Sequence, residues 1–166
     1  MSETIEEITS VMGAERIGNA PARIDWILTD SRSLCFPEET LFFALKTKRN
    51  DGHKYIHELY ERGVRNFVVS DLPENGEAYA DTNFLKVANP LRALQRLAAK
   101  HREQFQIPVV GITGSNGKTI VKEWLYQLLS PERIITRSPR SYNSQIGVPL
   151  SVWLLNEHTE LGIFEA

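Results

Sequence analysis

Residues 111–119, Gly-Ile-Thr-Gly-Ser-Asn-Gly-Lys-Thr, constrain the fold more than any other stretch of this chain. They follow an apolar segment, residues 107–110, with the pattern of a strand, and they open directly into a helical pattern. Glycines without Cβ let backbone N–H groups close around clustered negative charge, and the following helix N-terminus adds a favourable dipole. The context predicts a phosphate-binding loop, with Lys118 on the outer phosphates and the Thr119 hydroxyl offered to Mg²⁺.

The glycine spacing leaves an alternative open. The common pattern G-x-x-x-x-G-K-[ST] needs glycine where Ile112 stands, and the glycines here fall at positions 111, 114 and 117. Glycine-rich turns between a strand and a helix also occur merely to let the two elements pack closely. A lysine beside the positive end of a helix dipole, however, favours phosphate binding, because an anion between them would offset the repulsion. The residues expected to contact the nucleotide are Gly114, Ser115, Asn116, Gly117, Lys118 and Thr119.

Composition excludes several classes of function. Nineteen basic residues against 21 acidic ones give a net charge of -2, so the chain as a whole offers no electrostatic attraction for nucleic acid or an anionic membrane. Cys35 is the single cysteine, and the N-terminus lacks the pattern of a signal peptide. No apolar run approaches the ~20 residues that span a bilayer. We therefore expect a cytoplasmic protein.

The chain alternates helical and strand patterns. Apolar residues at helical spacing predict helices over residues 4–12, 55–62, 89–105, 120–129 and 148–155. Apolar runs bounded by turn residues predict strands over residues 24–29, 40–45, 66–70, 84–87, 107–110, 134–136 and 161–166. The order predicts an α/β fold with parallel sheets.

The chain divides into two predicted domains near Val87. The first, residues 1–87, is a small α/β lobe, and the second, residues 88–166, is the beginning of a P-loop parallel-sheet domain. The last apolar strand ends in Glu165, where a parallel sheet would present an acid to Mg²⁺, although an exposed charge at a strand end is the alternative. A buried strand without a following crossover also predicts that this domain is truncated.

The aromatic side chains are assigned to the core rather than to a platform for stacking bases. The residues concerned are Phe36, Phe42, Phe43 and Trp124. Cysteine and histidine do not have zinc spacing, and the nucleophile elbow G-x-S-x-G does not occur. Zinc enzymes and serine hydrolases therefore find no support.

Several motif blocks, taken together and in order, resemble the Mur ligases, the cytoplasmic ATP-dependent enzymes that assemble the peptide of the bacterial cell wall. The loop at 111–119 matches the family's glycine spacing, and Val121-Lys122-Glu123 is similar to the member that adds D-alanyl-D-alanine. The other blocks are TDSR at 29–32, LFFAL at 41–45, DGH at 51–53, NSQIGVPL at 143–150 and FEA at 164–166.

The resemblance implies a ligase that joins D-alanyl-D-alanine to UDP-N-acetylmuramoyl-tripeptide through an acyl phosphate. In that scheme ATP is consumed, Lys118 stabilises the γ-phosphoryl, and Thr119 with Glu165 holds Mg²⁺. Two alternatives stay open: the family member that adds the third residue, and a non-catalytic module that binds a nucleotide. We expect the 166-residue chain to be inactive alone, because the resemblance places further magnesium ligands after Ala166. We also expect it to be monomeric.

The resemblance also implies substrate contacts in the first domain, which becomes the substrate lobe. Ser31 and Arg32 are expected at the uridine or its diphosphate; the alternatives are a turn at Asp30-Ser31 and a surface ion pair at Arg32. Lys46, in a basic loop with Lys48 and Arg49, could meet the diphosphate or be a solvated face. In the second domain, Asn143 and Ser144 are expected to order the substrate or the γ-phosphate; the alternative is a loop asparagine that satisfies its own backbone.

Overall fold

The computed structural model describes residues 3–47 and 50–166, without the side chain of Glu77. Lys48 and Arg49, predicted to belong to a basic loop, lie outside the described residues. The chain forms two compact units, residues 1–96 and 97–166. The division falls inside the helix Pro90–Glu103 rather than in a linker, and the domain limits at residues 87 and 88 stay a prediction.

The first unit contains strands and helices in mixed order. They are β1 (Glu3–Thr4), α1 (Ile5–Met12), β2 (Glu15–Ile17), β3 (Arg23–Ile24), β4 (Trp26–Leu28), β5 (Thr40–Phe43), α2 (Ile56–Glu61), β6 (Asn66–Val69), β7 (Asn83–Lys86) and the start of α3 (Pro90–Glu103). Short 3-10 helices lie at Ser31–Ser33, Gly52–Tyr55 and Gly76–Ala78.

Five of these strands form one sheet in the order β2-β7-β6-β5-β4. The four strands from β4 to β7 run parallel, as the sequence predicts, and β2 pairs antiparallel with β7 at the edge. β1 and β3 form a separate antiparallel pair. The sequence did not predict β1 or β2, which are two and three residues long.

Parallel register builds the core of this unit. Leu28, Phe42, Phe67 and Phe84 are directly paired across four neighbouring strands, and all four are buried. The rings of Phe67 and Phe84 stack with centroids 5.5 Å apart. Phe42 and Phe43 therefore lie in the core as predicted. The prediction for Phe36 is wrong: its side chain is 52% exposed and stacks on Trp26 at the sheet edge.

The helix α1 shows how closely local sequence determines an element. Thr4 and Glu7 form a reciprocal capping box, in which each side chain accepts a hydrogen bond from the other residue's backbone N–H. Gly13 ends the helix with φ +63°, in the left-handed region that glycine adopts without strain. The predicted helix over residues 4–12 is confirmed.

The second unit has a smaller sheet. After the end of α3, its elements are β8 (Val109–Ile112), α4 (Lys118–Leu129), β9 (Ile135–Arg137), α5 (Gly147–Val152) and β10 (Leu161–Glu165). The three strands are all parallel, in the order β8-β10-β9, so their carboxyl ends meet at one edge. Phe105, Leu155 and Phe164 form a buried cluster on this unit.

The helix α4 is rotated relative to its predicted core face. The apolar spacing that predicts this helix is that of Val121, Trp124, Leu125 and Leu128, which the pattern would turn towards the core. In the structure Trp124 is 69% and Leu128 is 73% exposed, and Val121 is exposed as well. Lys122 is instead the side chain that α4 buries completely. The prediction for Trp124 is wrong because α4 turns Lys122, not Trp124, towards Glu165 of β10 and the Ser138 carbonyl after β9. Among the described residues, no helix combines the length and apolarity that a membrane span requires.

Candidate functional site

The loop between β8 and α4 takes the conformation that its glycines permit. Gly114 has φ +141° and Gly117, the N-cap of α4, has φ +77°. At either position an added Cβ would meet no described atom within 4 Å, so backbone conformation, not space, requires glycine there. Gly111 has ordinary strand geometry. The close-packing alternative from the sequence therefore does not explain Gly114 and Gly117.

A cleft of about 300 Å³ opens beside this loop at the carboxyl edge of the sheet. Such a cleft lies at the lower end of the range for ligand pockets. Its lining brings together residues from the loop, the start of α4, the end of β10 and the segment before α5. They are Ser115, Asn116, Gly117, Lys118, Thr119, Ile120, Asn143 and Glu165.

Lys118 lies across the loop. Its Nζ donates a hydrogen bond to the carbonyl of Gly114 at 2.6 Å, so the ammonium is held over the first left-handed glycine. As the first residue of α4 it also stands at the positive end of the helix dipole. This cation and the loop amides give the cleft the character of an anion site.

Thr119 and Glu165 meet across the cleft. The Thr119 hydroxyl donates to Glu165 Oε2 at 3.1 Å, and the Ser141 hydroxyl lies 3.3 Å from Thr119 Oγ1. Glu165 is completely buried, and its register partner is Ile112, the last residue of β8. The sheet thus delivers the carboxylate to the beginning of the loop, and the alternative of an exposed charge is wrong.

A second charge stands behind Glu165. Lys122 Nζ lies 2.9 Å from Glu165 Oε1, and it donates hydrogen bonds to the carbonyls of Ser138 (2.9 Å) and Arg140. Oε1 receives no well-directed hydrogen bond from the described residues, so its contact with the ammonium is an ion pair. Sequence reasoning noticed Lys122 only as part of a motif. The signal available was the spacing, since Lys122 lies one turn after Thr119 and therefore on the same side of α4.

The described residues suit Mg²⁺ together with phosphate. They contain no group of three or more His, Cys, Asp or Glu side chains that could hold a metal by themselves. Mg²⁺ is commonly bound through one or two carboxylates, substrate phosphates and water. A hydroxyl that donates to a carboxylate keeps its lone pairs free, so Thr119 and the buried Glu165 fit such an ion when a phosphate supplies the remaining ligands.

Asn143 and Ser144 have different positions. Asn143 lines the cleft, and its backbone N–H donates to the Ser141 carbonyl at 2.9 Å. The Ser144 hydroxyl instead accepts a hydrogen bond from the Gly147 N–H at 2.9 Å, at the start of α5. Ser144 therefore orders the helix start.

Ser31 and Arg32 line a separate cleft of about 470 Å³ on the first unit. The other lining residues are Thr29, Asp30, Asn50, Tyr55 and Glu58. The Arg32 guanidinium, 85% exposed, forms two hydrogen bonds with Asp30 (2.9 and 2.6 Å). Those bonds, and a further one from the Arg32 N–H, hold the pKa of Asp30 below its usual value. Ser31 is buried.

Lys46 lies between two aspartates. Its Nζ is 3.4 Å from Asp71 and 3.5 Å from Asp51, and this pairing raises the pKa of Lys46, with Asp71 making the larger contribution. The neighbouring His53 takes a structural position: its Nε2 accepts a hydrogen bond from the Ser70 N–H (3.1 Å), and its Nδ1 lies 2.7 Å from Asp51. A bound anion would have to compete with two carboxylates for the Lys46 charge.

Comparison with known protein families assigns both halves of the chain. Residues 23–102 match the model of the Mur ligase family, catalytic domain, and residues 112–166 match the Mur ligase middle domain. The second match contains the loop from Thr113 onward, together with Thr119 and Lys122, the two residues that contact the Glu165 carboxylate.

Individual relatives agree with these matches. A UDP-N-acetylmuramoyl-tripeptide--D-alanyl-D-alanine ligase of Bacillus subtilis is 33% identical over 146 residues, which are 86% of this chain and 30% of the relative. A crystal structure of MurF from Acinetobacter baumannii superposes with a TM-score of 0.86 at 28% identity, covering 99% of this chain and 36% of that one. MurF ligase from Thermotoga maritima in complex with ADP gives a TM-score of 0.69 at 30% identity, covering 84% and 31%. The chain thus spans about a third of the length of the relatives it matches.

Proposed function

This chain belongs to the Mur ligase family, and we propose that it supplies the ATP loop and the nucleotide-substrate lobe of a ligase that joins D-alanyl-D-alanine to UDP-N-acetylmuramoyl-tripeptide. The observation that carries the proposal is the cleft in which Lys118, Thr119 and Glu165 converge at the carboxyl edge of a parallel sheet. The reaction is the one for which the relatives are named.

In this proposal the cleft binds the phosphates of ATP. Gly114 and Gly117 turn backbone N–H groups towards the anion, and the Lys118 ammonium moves from the Gly114 carbonyl to the outer phosphates. Thr119 and Glu165 would hold Mg²⁺, which supplies charge neutralisation on the transferred phosphoryl when it is bound. Asn143, which also lines the cleft, would orient the γ-phosphate or the substrate.

Amide formation requires that the tripeptide carboxylate first be activated. A carboxylate is a poor electrophile at neutral pH, so the tripeptide carboxylate takes the γ-phosphoryl and ADP leaves. The amine of the dipeptide then attacks the acyl carbon, loses a proton, and releases inorganic phosphate. The part played by this chain is to stabilise charge on the phosphoryl as it moves, through Lys118 and the loop amides.

The first unit would bind the uridine diphosphate end of the substrate. Ser31 and Arg32 line the 470 Å³ cleft, and Arg32 can exchange its exposed Asp30 partner for a phosphate. Lys46 can contribute only if it leaves Asp71 and Asp51. We further propose a cytoplasmic monomer that binds neither nucleic acid nor membrane, consistent with a net charge of -2.

A chimaera tests the proposal. This chain replaces the matching third of the Bacillus subtilis relative, and phosphate release is measured with ATP, UDP-N-acetylmuramoyl-tripeptide and D-alanyl-D-alanine. We expect release only when all three are present, and loss of release when the chimaera carries Lys118→Met. Release that ignores the dipeptide, or that survives Lys118→Met, would contradict the proposal. The 166-residue chain alone is expected to bind ADP in calorimetry and to form no amide.

A further inference from the structure

We propose that Lys122 is a positioning residue that holds Glu165 by one oxygen and so leaves the other for the metal that accompanies the nucleotide. This inference rests on the proposed ATP site. The two carboxylate oxygens have different neighbours: Oε1 faces the Lys122 ammonium at 2.9 Å, and Oε2 accepts the Thr119 hydroxyl at 3.1 Å. The ammonium thereby determines which oxygen is directed into the cleft.

Burial makes this arrangement rigid. Both the Lys122 and the Glu165 side chains have zero exposure, so neither charge is solvated. Lys122 also has a second carboxylate, Glu123, at 3.4 Å, and it is the cation that compensates the buried Glu165. Replacing a buried ion pair with apolar residues is often neutral or even stabilising. Stability alone therefore does not account for an ammonium at this position, whereas control of the carboxylate does.

The same ammonium fastens a second part of the cleft. Its hydrogen bonds to the carbonyls of Ser138 and Arg140 hold the turn that follows β9. That turn continues to Ser141, whose hydroxyl lies 3.3 Å from Thr119 Oγ1. The Ser138 hydroxyl accepts a hydrogen bond from the Glu165 N–H at 3.1 Å. The segment that Lys122 holds therefore also fixes the backbone of Glu165. Lys122 thus aligns the hydroxyl and the carboxylate that face the metal without touching it.

ADP binding to the full 166-residue chain tests the inference, measured by calorimetry in EDTA and in a Mg²⁺ series. For Lys122→Gln we expect ADP affinity in EDTA to stay nearly unchanged, and the Mg²⁺ concentration for half-maximal enhancement to rise about 10- to 100-fold, as for other lost partners of metal ligands. Lys100→Gln, an exposed lysine of α3 paired with Glu103, is the matched control and should leave both values unchanged. An unchanged Mg²⁺ requirement in a folded Lys122→Gln chain would overturn the inference.

A second measurement keeps the inference testable if Lys122→Gln does not fold. In the unsubstituted chain with ¹⁵N-labelled lysine, Lys122 is the one completely buried lysine of the described residues and should give a side-chain ammonium signal protected from exchange. Mn²⁺ with ADP should broaden that signal, and Glu165→Gln should weaken its protection, because the ion pair is lost while the two carbonyl acceptors remain. If the parent chain does not bind ADP, the proposed function fails, and the positioning role is judged by the protected signal and its dependence on Glu165. Absence of a protected ammonium would refute the positioning role in either case.

Discussion

Lys122 Nζ and Glu165 Oε1 lie 2.9 Å apart with both side chains fully buried, which joins the second turn of α4 to the carboxyl end of β10. The two residues are 43 positions apart in sequence, and the parallel register of β8 and β10 brings the strand end to the loop. An ion pair removed from water in this way is sensitive above all to the loss of Lys122, because Glu165 would remain buried and uncompensated, whereas Lys122 has a second carboxylate, Glu123, at 3.4 Å.

Removal of one charge should therefore cost more stability than removal of both. We expect Lys122→Met to lower the free energy of unfolding by about 3–5 kcal/mol, while Lys122→Met with Glu165→Met recovers most of that loss. Urea denaturation of the three chains measures both values. Lys100→Met, at an exposed ion pair, should change the free energy by no more than about 0.5 kcal/mol. A single variant no worse than this control would show that the buried pair contributes little.

The glycines of the loop should differ in their tolerance of alanine. Gly117 has φ +77°, so we expect Gly117→Ala to cost about 1–2 kcal/mol of stability, because an L residue is strained there. Gly117→Ala should also weaken ADP binding, since the loop amides would be redirected. Gly111 has neither a left-handed φ nor a described neighbour within 4 Å of an added Cβ, so Gly111→Ala should be neutral or stabilise by about 0.4–1 kcal/mol. Equal effects at both positions would contradict this assignment.

Sequence patterns were sufficient where a local rule acts alone. The capping residues Thr4 and Gly13 determined α1, and the glycines with Lys118 indicated the loop before α4. The carboxylate Glu165 could be placed at the sheet edge because carboxyl ends of parallel strands meet there. These are short-range or topological features, and each depends on few residues.

Sequence patterns failed where two faces of one element were both plausible. Residues 121, 124, 125 and 128 form an apolar stripe along α4, yet the side that faces the sheet carries Lys122. Hydrophobic periodicity cannot predict that α4 buries a lysine and exposes a tryptophan, because the carboxylate that compensates the lysine charge lies far along the chain. The hydrogen bond that Ser144 accepts from the Gly147 N–H was missed for a similar reason, because it depends on where α5 begins.

The cluster around Asp51 should give the chain an acid-sensitive contribution to stability. Burial acts to raise the pKa of Asp51, but hydrogen bonds from the His53 N–H (3.0 Å) and ring, together with Lys46, outweigh it, and the pKa lies below its ordinary value. A carboxyl with a lower pKa in the folded chain contributes stability above its unfolded pKa, about 3.9, and loses it as the pH falls through the folded value.

Asp51→Asn should consequently be less stable than the parent at pH 7, with a difference that shrinks below about pH 4. The substitution keeps an oxygen for the His53 N–H, so it removes charge while preserving the cap. Urea midpoints at neutral and acid pH measure the difference. A gap that widens towards acid would show that the charge of Asp51 does not contribute in this way.

The outward face of α4 should tolerate truncation that the core of the same unit does not. Leu128 is 73% exposed and Leu155 is 2% exposed, so the same substitution probes opposite environments. We expect Leu155→Ala to cost about 2–5 kcal/mol, from lost burial and the cavity left beside Phe105 and Phe164. Leu128→Ala should change the free energy of unfolding by less than about 0.5 kcal/mol, because solvent already surrounds most of the side chain. Urea denaturation of the two variants compares them directly. A Leu128→Ala cost as large as that of Leu155→Ala would mean that this face is packed in solution, as the apolar stripe of the sequence predicted.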